Sequence, residues 1–195
     1  MIKIDTTEIK IDDVITETVQ VEIQETKVNK VEVLDKQSLY KEIVSVVSHN
    51  LAESYIENEI DMASDTLESE FGVRSDMYVS FYGQHSTLKS SSDVFIIVES
   101  TDKYIDEVNS LMRDYSIKLR NNSSERDKLK FSQSKIGRYG NYIVLSVLGA
   151  KSINEYTSAV EAENEYRSIN SKAVKIALEM LKSKQDNTIS NNDIK

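Results

Sequence analysis

This chain contains no cysteine, no proline and no tryptophan, and it has only two histidines and five glycines in 195 residues. The absence of cysteine excludes disulfides, thiolate metal sites and cysteine nucleophiles together. No apolar run approaches the roughly 20 residues that a membrane-spanning helix needs, and the N-terminus lacks a basic segment followed by an apolar one. We therefore expect a protein that is soluble as written, extracytoplasmic if a signal segment has been removed and cytoplasmic otherwise.

The glycines and histidines lack the arrangements that nucleotide binding or catalysis needs. No glycine falls in a G-x-G-x-x-G or G-x-x-x-x-G-K pattern, whose dense spacing lets the backbone approach a phosphate. His49 is predicted to lie on a helix surface. His85 lies in a polar loop with several serines, but no strained turn presents a nucleophile there. We expect no catalytic residue, no metal site and no cofactor; the alternative is a small ligand-binding protein or hydrolase that uses the loop around His85.

The net charge of −9 is spread unevenly along the chain. Residues 1–37 carry 9 acidic and 5 basic side chains, residues 38–72 carry 8 and 1, and residues 73–195 carry 16 and 18. A nucleic-acid-binding protein needs a basic stripe that neutralises phosphates. The one basic stretch is short and is predicted to be a strand, so no nucleic-acid partner is expected; it contains Lys128, Lys130, Lys135 and Arg138.

The hydrophobic pattern divides the chain into an arm, a domain and a tail. Residues 1–37 alternate apolar and polar side chains without a glycine or proline turn signal, which predicts a flexible acidic arm; the alternative is an arm that adds strands to the edge of a partner's sheet. Residues 38–182 are predicted to form a single domain. Residues 183–195 are rich in asparagine, aspartate, serine and lysine, which predicts a disordered tail.

The first half of the domain is predicted to contain one long helix and two strands. Apolar residues recur every three to five positions from residue 38, and Gly72 is suited to end this helix, with a break near Asn50 or Asn58. A strand is predicted at residues 77–82, a polar loop at 83–92, and a strand buried on both faces at 94–98.

The second half is predicted to contain two helices around a hairpin. A helix should begin after Thr101 and end near Asn122. Strands are predicted at residues 129–136 and 141–148, joined by a short hairpin turn at residues 137–141, whose geometry explains both Gly137 and Gly140. Ser152 and Glu155 form an S-x-x-E capping box, which predicts a last helix from residue 152 to 182.

These elements predict an α+β fold in the order α-β-β-α-β-β-α. We expect a two-layer sandwich, in which a mostly antiparallel four-stranded sheet has helices on one face and its apolar runs at 94–98 and 143–148 in central strands. The last helix is longer than one sheet face requires. Its apolar far half is expected to pack antiparallel on the first helix rather than on a second protein chain, with these partners: Val47, Leu51, Ile60 and Leu67.

Two groups of residues are predicted to contact a partner protein. The first group stands four residues apart on the predicted first helix, so its carboxylates form a ridge that suits a basic partner or a cation: Glu53, Glu57, Asp61 and Asp65. The second group surrounds the hairpin turn: Arg138, Tyr139 and Tyr142. Tyrosine and arginine are enriched at interface hot spots. The alternative for the acidic group is an ordinary solvated surface. The alternative for the second group is that its side chains only flank the turn and bind no partner.

A longer pattern joins a strand, a helix and a second strand. Residues 93–100 form a strand segment with an acidic residue, Asp102 and Val108 lie in the following helix, and residues 140–147 read G-N-Y-I-V-L-S-V. The arrangement resembles a widespread clostridial family of small secreted lipoproteins known only as a domain of unknown function. The resemblance covers residues 77–150 and implies no catalytic residues. This chain differs in having no cysteine that could carry a lipid and in its long last helix.

We therefore expect a non-enzymatic interaction or accessory protein, associated with the cell envelope or a spore. Its partner should be another protein, bound through the sheet edge, the acidic first helix or the hairpin turn. A structural protein of a phage or mobile element is the alternative, because the charged ends and the composition fit it equally well.

Overall fold

The computed structural model describes residues 36–88, 91–123, 125–149 and 156–192. Nearly all of the predicted arm lies outside these residues, as does the predicted capping box of Ser152 and Glu155. The residues from Gln37 onward form one unit.

The described residues form five helices and a five-stranded antiparallel sheet. The helices are α1 (residues 36–51), α2 (Ser64–Phe71), α3 (Ile105–Asn122), α4 (Glu125–Ser132) and α5 (Ala159–Asn192). The strands are β1 (Glu59–Asp61), β2 (Tyr78–Ser86), β3 (Val94–Ser100), β4 (Lys135–Tyr139) and β5 (Tyr142–Val147). The α+β class is confirmed, with five strands instead of the predicted four.

The strands lie in the order β1-β2-β3-β5-β4. Each neighbouring pair is antiparallel. β3 and β5 have a strand on both sides, which confirms that the two most apolar runs occupy the centre of the sheet. β1 and β4 form its two edges.

Helices cover both faces of the sheet, so the predicted two-layer arrangement is wrong. Phe95 and Ile97 of β3 pack in one apolar cluster with α1 and α5. Val94, Ile96 and Val98 pack on the opposite face with α2, α3 and α4. Because side chains alternate along a strand, a run that is apolar at every position needs a covering layer on each face. The domain is a three-layer α/β/α sandwich.

The predicted long first helix is interrupted. α1 ends at residue 51, and the backbone takes left-handed angles at Ala52 and Asn58, with φ of 46° and 50°. Between these positions Tyr55 and Ile56 enter the core. The break that the sequence allows at Asn58 is therefore present, and it releases β1 to pair with the edge of β2. α2 ends at Gly72 with φ of 74°, as the sequence predicts.

The predicted strand at residues 129–136 is also corrected, because residues 129–132 belong to α4. The alternation that predicts this strand places Lys130 on the face opposite Leu129 and Phe131. Instead Lys130 is only 9% exposed, and its ammonium group forms a salt bridge with Asp93, which is 2% exposed. Because the salt bridge with Asp93 keeps Lys130 buried, the alternation of lysines with apolar residues at 128–131 does not mark one buried and one solvated face.

The last helix begins and ends later than the sequence indicates. The Ser158 hydroxyl accepts a hydrogen bond from the Glu161 N–H at 3.1 Å, and the Glu161 carboxylate accepts one from the Thr157 N–H at 2.9 Å. Ser158 therefore caps the helix in an S-x-x-E pattern six positions further along the chain, but Glu161 reaches back to Thr157 and not to the Ser158 N–H that a capping box uses. The helix continues to Asn192 instead of ending at residue 182.

α1 and α5 lie side by side in opposite directions. The Lys172 ammonium donates to the Asn50 carbonyl at 2.7 Å, and Lys184 lies 3.6 Å from the Glu42 carboxylate. Residue numbers therefore rise along one helix as they fall along the other. The predicted antiparallel pairing within the chain is confirmed.

Two of the four predicted partners on the first helix are correct. Val47 and Leu51 share an apolar cluster with residues of α5 that include Val174 and Leu181. Leu67 packs on the other face of the sheet. Ile60, in the edge strand β1, is 46% exposed. The predictions for Ile60 and Leu67 are wrong because the chain leaves the helix before it reaches them.

Asn170 fastens α5 to β5. The side chain is 0% exposed. Its amide oxygen accepts hydrogen bonds from the Ser146 hydroxyl at 2.7 Å and the Leu148 N–H at 2.8 Å, and its amide nitrogen donates to the carbonyls of Leu148 and Tyr166 at 3.0 and 2.8 Å. Every donor and acceptor of this buried amide is used. A satisfied polar group of this kind sets the position of the helix along the strand.

The two glycines of the hairpin have different reasons to be glycine. Gly140 takes φ of 54° in the two-residue turn between β4 and β5. Gly137 lies under α5, where an added Cβ would come within 2.4 Å of the Val174 Cγ1 and 2.7 Å of the Leu178 Cδ1. Turn geometry explains Gly140, as predicted. The same prediction for Gly137 is wrong, because Gly137 lies within β4 and close packing of a helix explains it.

Candidate functional site

α3 has a buried face and an outer face that carries two arginines. Its buried face packs on the sheet through residues such as Met112, which is 0% exposed. Arg113, Ser116, Ile117 and Arg120 occupy positions i, i+3, i+4 and i+7 of the helix. Residues at these spacings lie along one side of an α-helix. The two guanidinium groups therefore stand one above the other with an isoleucine between them.

A cleft of about 320 Å³ opens beside this side of α3. α4 and the start of β4 form its other walls. The residues that line it are Arg113, Ser116, Ile117, Arg120, Phe131, Ser132, Ser134, Lys135 and Ile136. The volume lies near the lower end of the range for small-molecule sites, roughly 300–1,000 Å³.

Three cationic residues line the cleft. Arg113, Arg120 and Lys135 are exposed, and none of them forms a salt bridge with any residue that the structure describes. Neighbouring cations are engaged: Lys130 pairs with Asp93, and Arg138 pairs with Asp106 at 2.7 Å. In a chain with a net charge of −9, the cleft is thus a local concentration of positive charge that no acidic side chain in the described part of the chain pairs with.

The cleft also has apolar surface. Phe131, which is 4% exposed, and Ile117, which is 41% exposed and lies between the two arginines along α3, both line the cleft. The hydroxyls of Ser116 and Ser132 donate to carbonyls of their own helices, at 3.5 and 2.7 Å. Positive charge beside an exposed apolar side chain suits an anionic group attached to an apolar body.

β4 presents an unpaired backbone edge next to the cleft. In a two-residue hairpin the flanking residues, here Tyr139 and Tyr142, form a hydrogen-bonded pair, and hydrogen-bonded pairs alternate with non-hydrogen-bonded pairs along the strands. Gly137 therefore directs its N–H and C=O toward β5, and Ile136 and Arg138 direct theirs away. No backbone group among the described residues bonds to that outer side of β4.

The structure separates the three residues predicted around the turn. Arg138 is exposed, and its guanidinium joins the turn to α3 through Asp106 and also donates to the Gly140 carbonyl at 3.1 Å. Tyr139 is half-buried against the α1 side of the core. Tyr142 is 8% exposed and packs edge-on against Tyr40 at 6.4 Å between ring centroids. Of the three, only Arg138 is exposed, and its guanidinium is already paired with Asp106.

The four predicted acidic residues do not form a helical ridge. Glu53 lies in a 3-10 turn, Glu57 in the segment that follows, Asp61 in β1 and Asp65 at the start of α2. All four are exposed. Since the backbone changes direction at Ala52 and Asn58, the spacing of four no longer places the carboxylates on one face. The predicted ridge is therefore absent as a helical surface.

Asp61 has a structural role at the edge of the sheet. Its carboxylate accepts hydrogen bonds from the Tyr82 hydroxyl at 2.6 Å and the Gln84 amide at 3.1 Å. The bond from Tyr82 is the main reason that the pKa of Asp61 is lowered. Burial, followed by this hydrogen bond to the carboxylate, raises the pKa of Tyr82 to about 12. These contacts fasten β1 to β2.

The histidines do not form a catalytic group in the described structure. β2 continues to Ser86, so His85 lies in a strand opposite Val94 and not in the predicted loop. Its side chain has no hydrogen bond to a described serine or aspartate, while the Ser86 hydroxyl donates to the Glu57 carbonyl at 2.8 Å. His49 is exposed on α1, as predicted.

Two other features are absent from the described residues. No three histidine, aspartate or glutamate side chains there are placed to hold a metal ion. Among the same residues no helix combines the length and hydropathy that crossing a membrane requires.

Sequence reasoning did not identify the cleft. Lys135 was considered only as part of a short basic stretch, and Arg113 and Arg120 were not singled out. A signal was present, because two arginines seven residues apart on α3 enclose Ile117 on a side of the helix that faces away from the core. Only the approach of α4 and β4 turns that side of the helix into a concave surface.

The described residues thus define an α/β/α sandwich with an open sheet edge and a cationic cleft. Residues 52–148 match the family model described as a domain of unknown function, DUF4358. The match supports the expected resemblance to a family known only in those terms, and it reaches further toward the N-terminus than residue 77. It spans just under half of the chain and includes β1 to β5, but neither α1 nor α5. No curated protein and no solved structure matches the chain.

Proposed function

We propose that this protein is a non-enzymatic interaction protein that binds an extended segment of a partner protein along β4. The observation that supports this proposal is the outer side of β4, where the N–H and C=O groups of Ile136 and Arg138 have no backbone partner among the described residues. An exposed edge strand is a template for a further strand. Backbone hydrogen bonds supply affinity in this mode, and side chains supply specificity.

The charge around β4 favours an acidic segment. Lys135 and Arg138 are exposed on the strand itself, and Arg113 and Arg120 line the adjoining cleft. Opposite charges placed across two paired strands stabilise the pairing by roughly 0.2–1 kcal/mol each. A segment with one acidic residue opposite Lys135 and another on the other face, opposite Arg138, would therefore bind better than a neutral one of the same length.

The cell envelope is the proposed setting, and its support is the likeness of residues 77–150 to small secreted lipoproteins. In that setting the partner would be an extended, acidic segment of an envelope protein. A structural protein of a phage or mobile element would use the same strand edge, and the identity of the partner distinguishes the two.

Replacing Arg138 with proline is expected to abolish binding of an extended acidic peptide. Proline has no N–H, and at this position the N–H faces outward, so the ladder to β5 is preserved. The matched control is Arg138→Ala, which removes the same side chain but keeps the N–H. Peptides are first selected by display on the wild-type protein, and their affinities for both variants are then measured by calorimetry, with melting temperatures as the check on folding.

Hydrogen exchange supplies a second measurement. When peptide binds, the amides of Ile136 and Arg138 should become protected, whereas the amide of Gly137, which faces β5, should be protected in both states. Equal binding by the proline and alanine variants, or protection confined to β1, would overturn the proposal. Turnover of a substrate in a broad hydrolase screen would contradict its non-enzymatic part.

A further inference from the structure

We infer that the cleft between α3, α4 and β4 binds the phosphate group of a small phosphate monoester. This site goes beyond the proposed function, because it uses side chains of the cleft and not the backbone edge of β4. The inference rests on Arg113, Arg120 and Lys135, which line one cleft of about 320 Å³ and have no acidic partner among the described residues.

The number of cations indicates the charge of the ligand. Three positive groups around one small cleft repel one another, and the repulsion is relieved best by a dianion. A phosphate monoester carries a charge of about −1.5 to −2 at neutral pH and offers three acceptor oxygens. Two guanidinium groups can each bind two of those oxygens, and the positive charge of Lys135, at the start of the adjoining strand, adds attraction.

The apolar part of the cleft indicates that the phosphate is esterified. Ile117 is 41% exposed between the two arginines, and Phe131 lies beneath. Free phosphate would leave Ile117 in water, whereas an ester with an apolar body would cover it. Burial of apolar surface contributes roughly 25 cal/mol per Å², so the ester should bind more tightly than the inorganic ion.

The placement of the cationic residues suits one small ligand and not a nucleic acid. Lys130 is buried against Asp93, and Arg138 is paired with Asp106, so these two do not extend the cleft into a basic stripe. A nucleic acid would need a longer row of free cations along its backbone. A small ester requires only the three that line the cleft.

The test is a calorimetric titration of the full chain with three probes: phenyl phosphate, inorganic phosphate and benzoate. Phenyl phosphate should bind most tightly, because it alone combines a dianion with an apolar ring. Benzoate binding as tightly as phenyl phosphate would overturn the inference in favour of a carboxylate site. Equal binding of inorganic phosphate and phenyl phosphate would overturn the ester assignment.

Variants locate the binding. Arg113→Gln and Arg120→Gln should each weaken phenyl phosphate binding about tenfold or more, the expected loss for one charge-assisted interaction. Lys118→Gln removes the same charge from an exposed position of α3 that does not line the cleft, and it should change the affinity by less than about twofold. Equal losses in all three variants would show nonspecific attraction and overturn the site.

Because Arg138→Pro leaves the cleft residues in place, it should keep phenyl phosphate binding, which separates this test from the test of the β4 edge.

Discussion

Deletion of the chain from Ser171 onward is expected to unfold the domain. The deleted part of α5 contains four buried residues that pack with α1 and the sheet: Ala173, Val174, Ala177 and Leu181. Burial of one valine or leucine side chain contributes about 1.5–3 kcal/mol, and Val47 and Leu51 of α1 would lose their cover as well. The loss approaches the roughly 5–15 kcal/mol that stabilises a typical domain. Circular dichroism should show no cooperative thermal transition.

If the truncated chain cannot be purified, point variants in α5 measure how much its packing contributes to the free energy of unfolding. Leu181→Ala removes a side chain that is 1% exposed and should lower the free energy of unfolding by about 2–5 kcal/mol. Lys182→Ala changes the neighbouring exposed residue and should stay within about 0.5 kcal/mol. A truncated protein that keeps its melting temperature but changes its oligomeric mass would show instead that α5 serves an external partner.

Lys130→Met is expected to destabilise the protein by about 3–5 kcal/mol, although it replaces a charged side chain with an apolar one. The salt-bridge partner, Asp93, is 2% exposed. Its carboxylate would keep the hydrogen bond from the Ser91 hydroxyl at 2.7 Å, but it would lose the opposing charge. A buried carboxylate without a cation carries most of its desolvation cost uncompensated. Urea denaturation at neutral pH measures the effect.

The double variant Asp93→Asn with Lys130→Met provides the matched control. It removes both charges, and neutral replacement of a buried ion pair is often nearly neutral for stability. We expect the double variant to recover most of the loss, while Lys118→Met on the exposed side of α3 should change little. If the double variant is as unstable as Lys130→Met alone, the lysine acts by filling space and not by its charge.

The elements with strong local signals agree with their prediction from sequence. The run 94–98 is a central strand, α3 ends near Asn122, and Gly72 ends α2. In each case the deciding interactions involve residues close together in the chain: a continuous apolar run, a regular helical spacing and a left-handed glycine. The run 94–98 is apolar at every position, and such a strand needs a covering layer on both faces of the sheet. The predicted two-layer arrangement did not take this into account.

The errors occur where a distant contact outweighs the local pattern. Residues 129–132 are helical although they alternate, because Lys130 is held inside by Asp93, which is far away in sequence. The spacing of Glu53, Glu57, Asp61 and Asp65 is helical, yet Tyr55 and Ile56 gain more by entering the core than by continuing α1. Two S-x-x-E patterns precede the last helix, and local sequence does not distinguish them.

The sequence by itself determined the class of fold, the central strands, the hairpin turn and the antiparallel pairing of α1 with α5. The first three follow from periodicity and glycine placement, which act over a few residues, and the helix pairing follows from the excess length of the last helix and its apolar far half. Tertiary structure alone decided that helices cover both faces, that β4 ends the sheet with an open edge, and that Arg113, Arg120 and Lys135 share one cleft. The reason is physical: a cleft and a sheet edge are made by surfaces from separate elements, and their relative placement depends on how the whole core packs.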